Sequence, residues 1–451
     1  MQVRRWLTPG IGVKRWLVVV FAGLFLLAVA GAHVLRQLGR DFEPGSLGAL
    51  AVDALTLQFL PYPLRGFIVG VAGLGLVALG AMRVVRSVTD PLRDPPGGRT
   101  RESLAEVLVK KRLLARGPRV VAIGGGTGLS ALLRGLKLHT ANLTAIVTVA
   151  DDGGSSGALR TELGIPPVGD IRNCMAALAD AEPLMADLLQ YRFPGERRVP
   201  GTPIEMVPGA LGGHAIGNLL IAALTALEGG DFEEGVRRMN RVLALRGQVL
   251  PVSPTPITLH ARTRDGTIVD GQSRVMRTSG IASVWIAPRD VAASNDALAA
   301  IADADLVVLG PGSLYTSLLP VLLVPGVRDA LAATAALRVY ACNVATQAGE
   351  TAGLDLADHL EAIERAVGPE LIDVVLANDR FDALRPPSYE AEAVRLRWPP
   401  AMERPPRLAL EAVVDPTNAH RHDPERLATA LLRILERDGG AHRRATATRT
   451  A

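Results

Sequence analysis

The chain has 451 residues, 49 basic against 45 acidic side chains and 48% hydrophobic residues, which allows two or three domains and a large core. Two cysteines, Cys174 and Cys342, exclude a disulfide framework and a zinc-ligand spacing, and 4% aromatics gives no stacking platform for single-stranded nucleic acid. The net charge of +4 hides a division: residues 1–116 hold 16 Lys and Arg against 7 Asp and Glu, the rest 33 against 38, so the main body lacks the basic face of a nucleic-acid binder.

Residues 1–86 read as a membrane region. Trp16 to Leu35 is a run of 20 residues without charge, and Gly66 to Met82 a second of 17, punctuated by glycines that permit close helix packing. Arg4, Arg5, Lys14 and Arg15 precede the first run, and Arg83, Arg86, Arg93, Arg99 and Arg101 follow the second. The positive-inside rule then predicts two transmembrane helices, about 16–35 and 66–82, with both ends in the cytoplasm. The expected location is the cell membrane, multi-pass, with the large C-terminal part cytoplasmic. Ala28-Val29-Ala30 also fits a cleavable signal peptide, and cleavage would leave the body on the same side. Residues 87–117 read as a linker rich in proline, glycine and charge, followed by a basic amphipathic helix from Ser103 to Arg116. Leu104, Val107, Leu108, Leu113 and Leu114 form its apolar side; Lys110, Lys111 and Arg112 face either lipid headgroups or water.

From residue 118 to 437 the pattern changes to short apolar strands that end in glycine or acidic turns and lead into helices. Strands are predicted at Arg119–Ile123, Thr144–Val149, Asp305–Leu309, Leu337–Ala341 and Ile372–Leu376, with helices at Leu129–Lys137 and Ile216–Leu227. The fold class is α/β: a Rossmann-like, mostly parallel sheet with helices on both faces and its ligand outside the carboxyl ends of the strands. No repeat of 20–50 residues is evident.

The turns after these strands carry the candidate site. Gly124-Gly125-Gly126-Thr127-Gly128 lets backbone amides approach a phosphate at a helix N-terminus, although its spacing is neither that of a dinucleotide fingerprint nor that of a Walker A loop. Asp151 and Asp152 stand at the next strand end, followed by Ser155 and Ser156. Neighbours on an extended chain point oppositely, so one carboxylate is expected to face the pocket. Its expected role is a Mg²⁺ contact, at Asp152, or a hydrogen bond to ribose or base; an Asx turn or helix cap is the structural alternative. Asp170, Arg172 and Asn173 follow a rigid proline turn, where Asp170 is either an N-cap or a ligand contact. His214 and Asn218 share a helix face by their spacing of four. Gly310, Gly312 and Ser313 form another anion-friendly turn. No zincin, α/β-hydrolase or thiol-protease signature is present.

These loops, with Pro167-Val168-Gly169-Asp170-Ile171-Arg172-Asn173, His214-Ala215-Ile216-Gly217-Asn218-Leu219, Gly310-Pro311-Gly312-Ser313-Leu314-Tyr315-Thr316-Ser317 and Gly349-Glu350-Thr351, resemble the YvcK family, also called gluconeogenesis factor. The family shares a fold with CofD, the phospholactate transferase of deazaflavin coenzyme synthesis. The resemblance covers about residues 117–415. It implies a nucleotide-binding core that takes UDP-sugars such as UDP-N-acetylglucosamine or UDP-glucose without a required cofactor, in the control of cell shape, cell-wall precursor supply and carbon metabolism. It also implies phosphate at the glycine loop, Asp151 or Asp152 where CofD holds its acceptor, and Asp170, Arg172, Asn173 and Asn218 in the same cleft. Ala158 departs from the pattern where a basic residue is expected, and the hairpin is absent from the usual soluble members.

The expected partners are a nucleotide-sugar, the membrane through the hairpin, a cell-wall or metabolic protein and a second copy of the chain, with no nucleic acid. A non-catalytic sensor leads; a Mg²⁺-dependent CofD-like transferase and a scaffold with a vestigial pocket are the alternatives. Prolines between Pro386 and Pro406 mark a non-helical excursion, Leu408–Val414 a last strand, and Asp423-Pro424-Glu425 a capped helix start. That helix is expected to end near Arg437, with 438–451 a disordered tail.

Overall fold

The computed structural model describes Leu24, Phe25, Ala28, Pro61, Leu64 and residues 104–450 except 180–181, 195, 198–206, 209–210, 384–390 and 399–404. Apart from Leu24, Phe25 and Ala28, the two expected spans, 16–35 and 66–82, lie outside the described residues, as do the linker 87–100 and most of the proline-rich excursion. Among the described residues no single helix is long and apolar enough to cross a membrane. A bent pair, Leu314–Leu322 and Val327–Ala333, is apolar because it lies in the core: Leu314, Leu318, Leu319, Val321, Leu322, Val327 and Leu331 are all buried.

The chain divides into two units, Met1–Arg112 and Leu113–Ala451. Helix α1 (Leu104–Ala115) begins near the boundary. Its expected apolar side does not hold together, since Leu114 is buried and Leu113 is 63% exposed. Adjacent residues on a helix lie about 100° apart and seldom share a face.

The second unit is built on a seven-stranded sheet. Its strands are β1 (Val120–Gly124), β2 (Leu143–Val147), β3 (Gln248–Pro251), β7 (Leu306–Leu309), β8 (Leu337–Ala341), β9 (Val374–Asn378) and β10 (Arg407–Glu411). They stand in the order β10-β9-β8-β7-β1-β2-β3, and every pairing is parallel. The central strands are buried along their whole length, which is why they read as unbroken apolar runs. Chain direction reverses between β1 and β7: the path moves outward through β2 and β3 on one side and through β8, β9 and β10 on the other. Such a reversal opens a crevice at the carboxyl ends of the two strands, and right-handed crossovers place the helices of the two halves on opposite faces.

Among the described residues, five helices occupy the long connection from β2 to β3: α3 (Gly154–Leu163), α4 (Gly169–Leu178), α5 (Glu182–Gln190), α6 (Ile216–Leu227) and α7 (Phe232–Val242). Helix α2 (Gly126–Leu136) joins β1 to β2 and packs against α4. Between 228 and 300 the sequence alone predicts no element. There the structure has β3 and a separate antiparallel sheet of β4 (Thr258–Thr263), β5 (Ile268–Asp270) and β6 (Ile281–Ala287), then α8 (Asn295–Asp303). Beyond β7 lie a π-helical turn at Leu314–Leu318, α9 (Val327–Ala333) and, after β8, α10 (Leu356–Val367).

The final helix, α11, runs from Pro424 to Thr450, so the expected disordered tail is helical instead. Good helix formers such as Ala441, Arg443, Arg444 and Ala445 outweigh the interruption at Gly439-Gly440. Leu427, Ala428, Leu431 and Ile434 bury its inner stripe, and α11 packs on α2. Boundaries moved elsewhere. The expected strand Thr144–Val149 is Leu143–Val147, Ile372–Leu376 is Val374–Asn378, and Leu408–Val414 breaks into β10 and a bridge at Val414–Asp415.

Candidate functional site

Helix α2 starts at Gly126, inside the glycine loop, three residues earlier than its apolar periodicity suggests. The first amides of α2 therefore belong to the loop itself. Gly128 permits the adjoining β7 turn to come close, because a Cβ there would stand 2.8 Å from the Pro311 carbonyl oxygen. The loops after β1 and β7 thus form one surface at the point of reversal. Thr127 is exposed on it.

Beneath this surface lies Asp170. Val168 takes the N-cap position of α4, so Asp170 sits in the first turn and does not cap the helix. Its carboxylate accepts the Gly126 amide, and a Cβ on Gly125 would be 2.4 Å from its Oδ2. Loss of hydration, followed by repulsion from Asp151, pushes Asp170 up to about 6, against the pull of the Gly126 amide and Arg172.

The two acidic neighbours after β2 diverge, as alternation requires. Asp151 turns inward: its Oδ1 accepts the Gly153 amide at 3.0 Å and it bonds Ser156, whose Oγ accepts the amides of Val168 and Gly169 at 2.9 and 3.0 Å. Burial raises the Asp151 carboxyl above its ordinary value. Asp152 is exposed and accepts the Ser273 amide at 2.8 Å, holding the single turn Gln272–Val275. It finds no companions for a metal: among the described residues no three His, Cys, Asp or Glu gather into a possible ligand set. The residues present do not fit a built metal site at Asp152.

Ser155 is the hub of the opposite wall. Its Oγ lies 3.2 Å from His214 Nδ1 and receives the Asn218 Nδ2 group at 3.0 Å and the Ala215 amide at 3.3 Å. His214 does not share the helix face with Asn218, because Ala215 is the extended N-cap of α6 and His214 precedes it. The two side chains converge on Ser155 all the same. Asn218 Oδ1 in turn accepts Arg172 Nη1 at 3.0 Å, and Asn173 Oδ1 accepts Arg172 Nη2 at 3.0 Å. Arg172 is 7% exposed and its Nε–H has no partner among the described residues. Burial and the nearby Arg192 guanidinium lower its basicity, although Asp170 and Asp151 support its charge.

A pattern in the helix starts points to the same place. Helices α7, α8, α10 and α11 are capped by side chains, Asp231, Ser294, Asp355 and Asp423. Helices α2, α3, α4, α6 and α9 begin at Gly125, Gly153, Val168, Ala215 and Gly326 without a side-chain cap, and the first four meet around the site. Gly126, Ser156, Asp170 and Ser155 tie these four starts together by the bonds already described. Positive helix ends and a buried cation gathered at strand ends suit an anion.

On the β7 side, Gly312 is held by Asn343, whose Oδ1 accepts its amide at 3.1 Å and whose Nδ2 donates to its carbonyl at 2.9 Å. Gln347 Nε2 donates to Ser313 Oγ at 2.8 Å. Gly310 receives the end of β1 through a bond from its own amide to the Ile123 carbonyl. Asn343 and Gln347 were not among the expected site residues, although a signal was present for the first: Asn343 stands two residues past the β8 strand end. Arg160 was also missed. Its Nη2 reaches Thr258 Oγ1 at 2.8 Å, in a strand the sequence reading did not anticipate.

A family model described as 2-phospho-L-lactate transferase CofD matches residues 120–397. The putative gluconeogenesis factor of Nostoc is 43% identical over 97% of this chain and 93% of its own length, so the similarity takes in most of the N-terminal region. The gluconeogenesis factor of Bacillus subtilis is 42% identical over 71% of this chain and 98% of its own. The crystal structure of a UPF0052-family protein from Bacillus halodurans matches with a TM-score of 0.61 and 41% identity, covering 70% of this chain and 99% of that one. With a parallel CofD-like sheet and relatives of this identity along nearly their full length, the chain belongs to the gluconeogenesis factor (YvcK) family.

Proposed function

We propose that this protein is a membrane-tethered regulator that binds a UDP-sugar, UDP-N-acetylglucosamine or UDP-glucose, across the carboxyl ends of β1, β2 and β7. The observation that carries the reading is Arg172, a nearly buried guanidinium with an unpartnered Nε–H amid four helix starts that lack side-chain caps. An unmet buried donor costs stability unless something else meets it, and a diphosphate supplies both acceptors and charge. The apolar runs 16–35 and 66–82 and their basic flanks support the tether. A partner in cell-wall supply or carbon metabolism, and self-association, complete the proposal. The name of the matched family model keeps a transferase as the second reading, in which Asp151 and Asp170 are the carboxylates whose charge acts on Arg172.

Isothermal titration of the full-length chain with UDP-N-acetylglucosamine, UDP-glucose and GDP, with and without Mg²⁺, tests this. Saturable binding of a UDP-sugar recovered unchanged is the expected result, weakened about tenfold to a hundredfold in Arg172→Ala. Metal-dependent preference for GDP with turnover would favour the transferase. Removal of residues 1–86 should release the chain from the membrane fraction; retention there would refute the tether.

A further inference from the structure

Residues 343–351, which follow β8, form a second layer behind the β7 loop. Four positions of that loop and the turn after it are held from this layer. Asn343 bonds both backbone groups of Gly312, and Gln347 donates to Ser313. Glu350 closes the row: its Oε1 accepts the Tyr315 amide at 3.2 Å and its Oε2 the Thr316 hydroxyl at 2.7 Å. Tyr315 and Thr316 are the second and third residues of the π-helical turn Leu314–Leu318, so the carboxylate meets one of the early amides that the turn leaves unpaired.

Glu350 is 2% exposed. Such a buried carboxylate is costly, and Leu or Gln in this space would avoid the cost of charge. Its retention of two directed acceptors suits the placing of one backbone segment. We propose that Glu350 is a positioning residue that fixes the turn Leu314–Leu318 and, through it, the Gly310–Ser313 loop held by Asn343 and Gln347, and with it the loop's hold on the anionic part of the ligand. The proposal rests on the nucleotide-sugar reading for the ligand, but not for the loop geometry.

Burial pushes Glu350 up to about 7, against the bonds from Thr316 and Tyr315. Around the pocket, Tyr315 is itself titratable, and Arg365 and Asp358 of α10 and Arg264 after β4 act on its hydroxyl. The protonated acid still accepts at one oxygen and donates from the other, and it avoids the buried charge, so the clamp loosens as pH rises through that value.

The test is hydrogen exchange of the amides from 312 to 318 in the ligand-free, full-length chain at pH 6 and pH 8, corrected for intrinsic rates. Glu350→Ala should speed exchange there about tenfold and leave the amides of α7 and α8 unchanged. Glu350→Gln can still accept the Tyr315 amide and donate to Thr316, so it should restore protection and abolish the wild-type pH dependence. Affinity for UDP-N-acetylglucosamine should fall about tenfold in the Ala variant and recover in the Gln variant. Thr316→Val, which removes one bond and leaves the carboxylate, should give a smaller acceleration in the same segment and serves if the Ala variant does not fold. Unchanged exchange, or acceleration across the whole unit with no rescue by Gln, overturns the proposal. Absence of UDP-sugar binding in the wild type overturns only the ligand reading, since exchange still decides the role of Glu350.

Discussion

At Gly125 the need for glycine is steric. Its backbone is extended, with φ at −176°, a conformation open to any residue. A Cβ would nevertheless stand 2.4 Å from Asp170 Oδ2 and 3.0 Å from Thr148 Cγ2. Gly125→Ala must therefore displace the Asp170 carboxylate and cost it the Gly126 amide. Urea denaturation should show a loss of about 1–3 kcal/mol. In an Asp170→Ala background most of that loss should disappear, leaving a coupling energy on the order of 1 kcal/mol or more. Equal losses in the two backgrounds would show that the carboxylate is not what the methyl group meets. The same geometry explains why alternation correctly separated Asp151 from Asp152 while the sequence left open which one turns inward. That choice depends on the Ser273 amide, 121 positions away, and on Ser156.

Among elements, the division between capped and uncapped helices has a thermodynamic consequence. Asp423 Oδ1 accepts the amides of Glu425 and Arg426, each at 3.0 Å, at the start of α11. Asp423→Ala should destabilise the second unit by about 1 kcal/mol and leave UDP-sugar affinity unchanged, measured by thermal unfolding and titration side by side. A loss of affinity equal to the loss of stability would tie α11 to the site and contradict this separation. This cap was legible because Asp423, Pro424 and Glu425 are adjacent. The glycine and acidic strand ends were legible for the same reason: a polar turn after an unbroken apolar run is a local signal. The antiparallel sheet was not. Thr258–Thr263 alternates buried and partly exposed residues, and nothing local says that it pairs with Ile281–Ala287. Nor could the role of Glu350 be read, since its partners lie 34 and 35 positions earlier and meet it only because β7 and β8 are neighbours.

For the whole molecule, charge buried around the site makes stability depend on pH in a defined direction. Asp170 is pushed up from 3.8 to about 6 and Glu350 from 4.5 to about 7, both chiefly by burial. Each binds its proton more tightly folded than unfolded, so its contribution is complete below the unfolded value and is lost as pH rises through the folded one. His422 works in the opposite sense. It is buried, with Nε2 3.1 Å from the Cys342 carbonyl oxygen, and is held down to about 4 from 6.5, so its contribution is lost on acidification. The carboxyl effects therefore span about pH 4 to 7, overlapping the histidine's window below 6.5. Each group that differs between the folded and unfolded chain contributes a slope of about 1.4 kcal/mol per pH unit. Comparison with the Asp170→Asn/Glu350→Gln double variant removes the histidine and every other common group. Between pH 5 and pH 8 the wild type should lose stability relative to that variant by an amount on the order of a few kcal/mol, read from urea midpoints. A constant difference over that range would mean that neither carboxyl group changes its proton affinity on folding. The expected slope has a physical origin: near neutral pH the fold keeps two enclosed carboxylates, Asp170 beside Arg172 and Glu350 at the turn after β7, at a cost in stability.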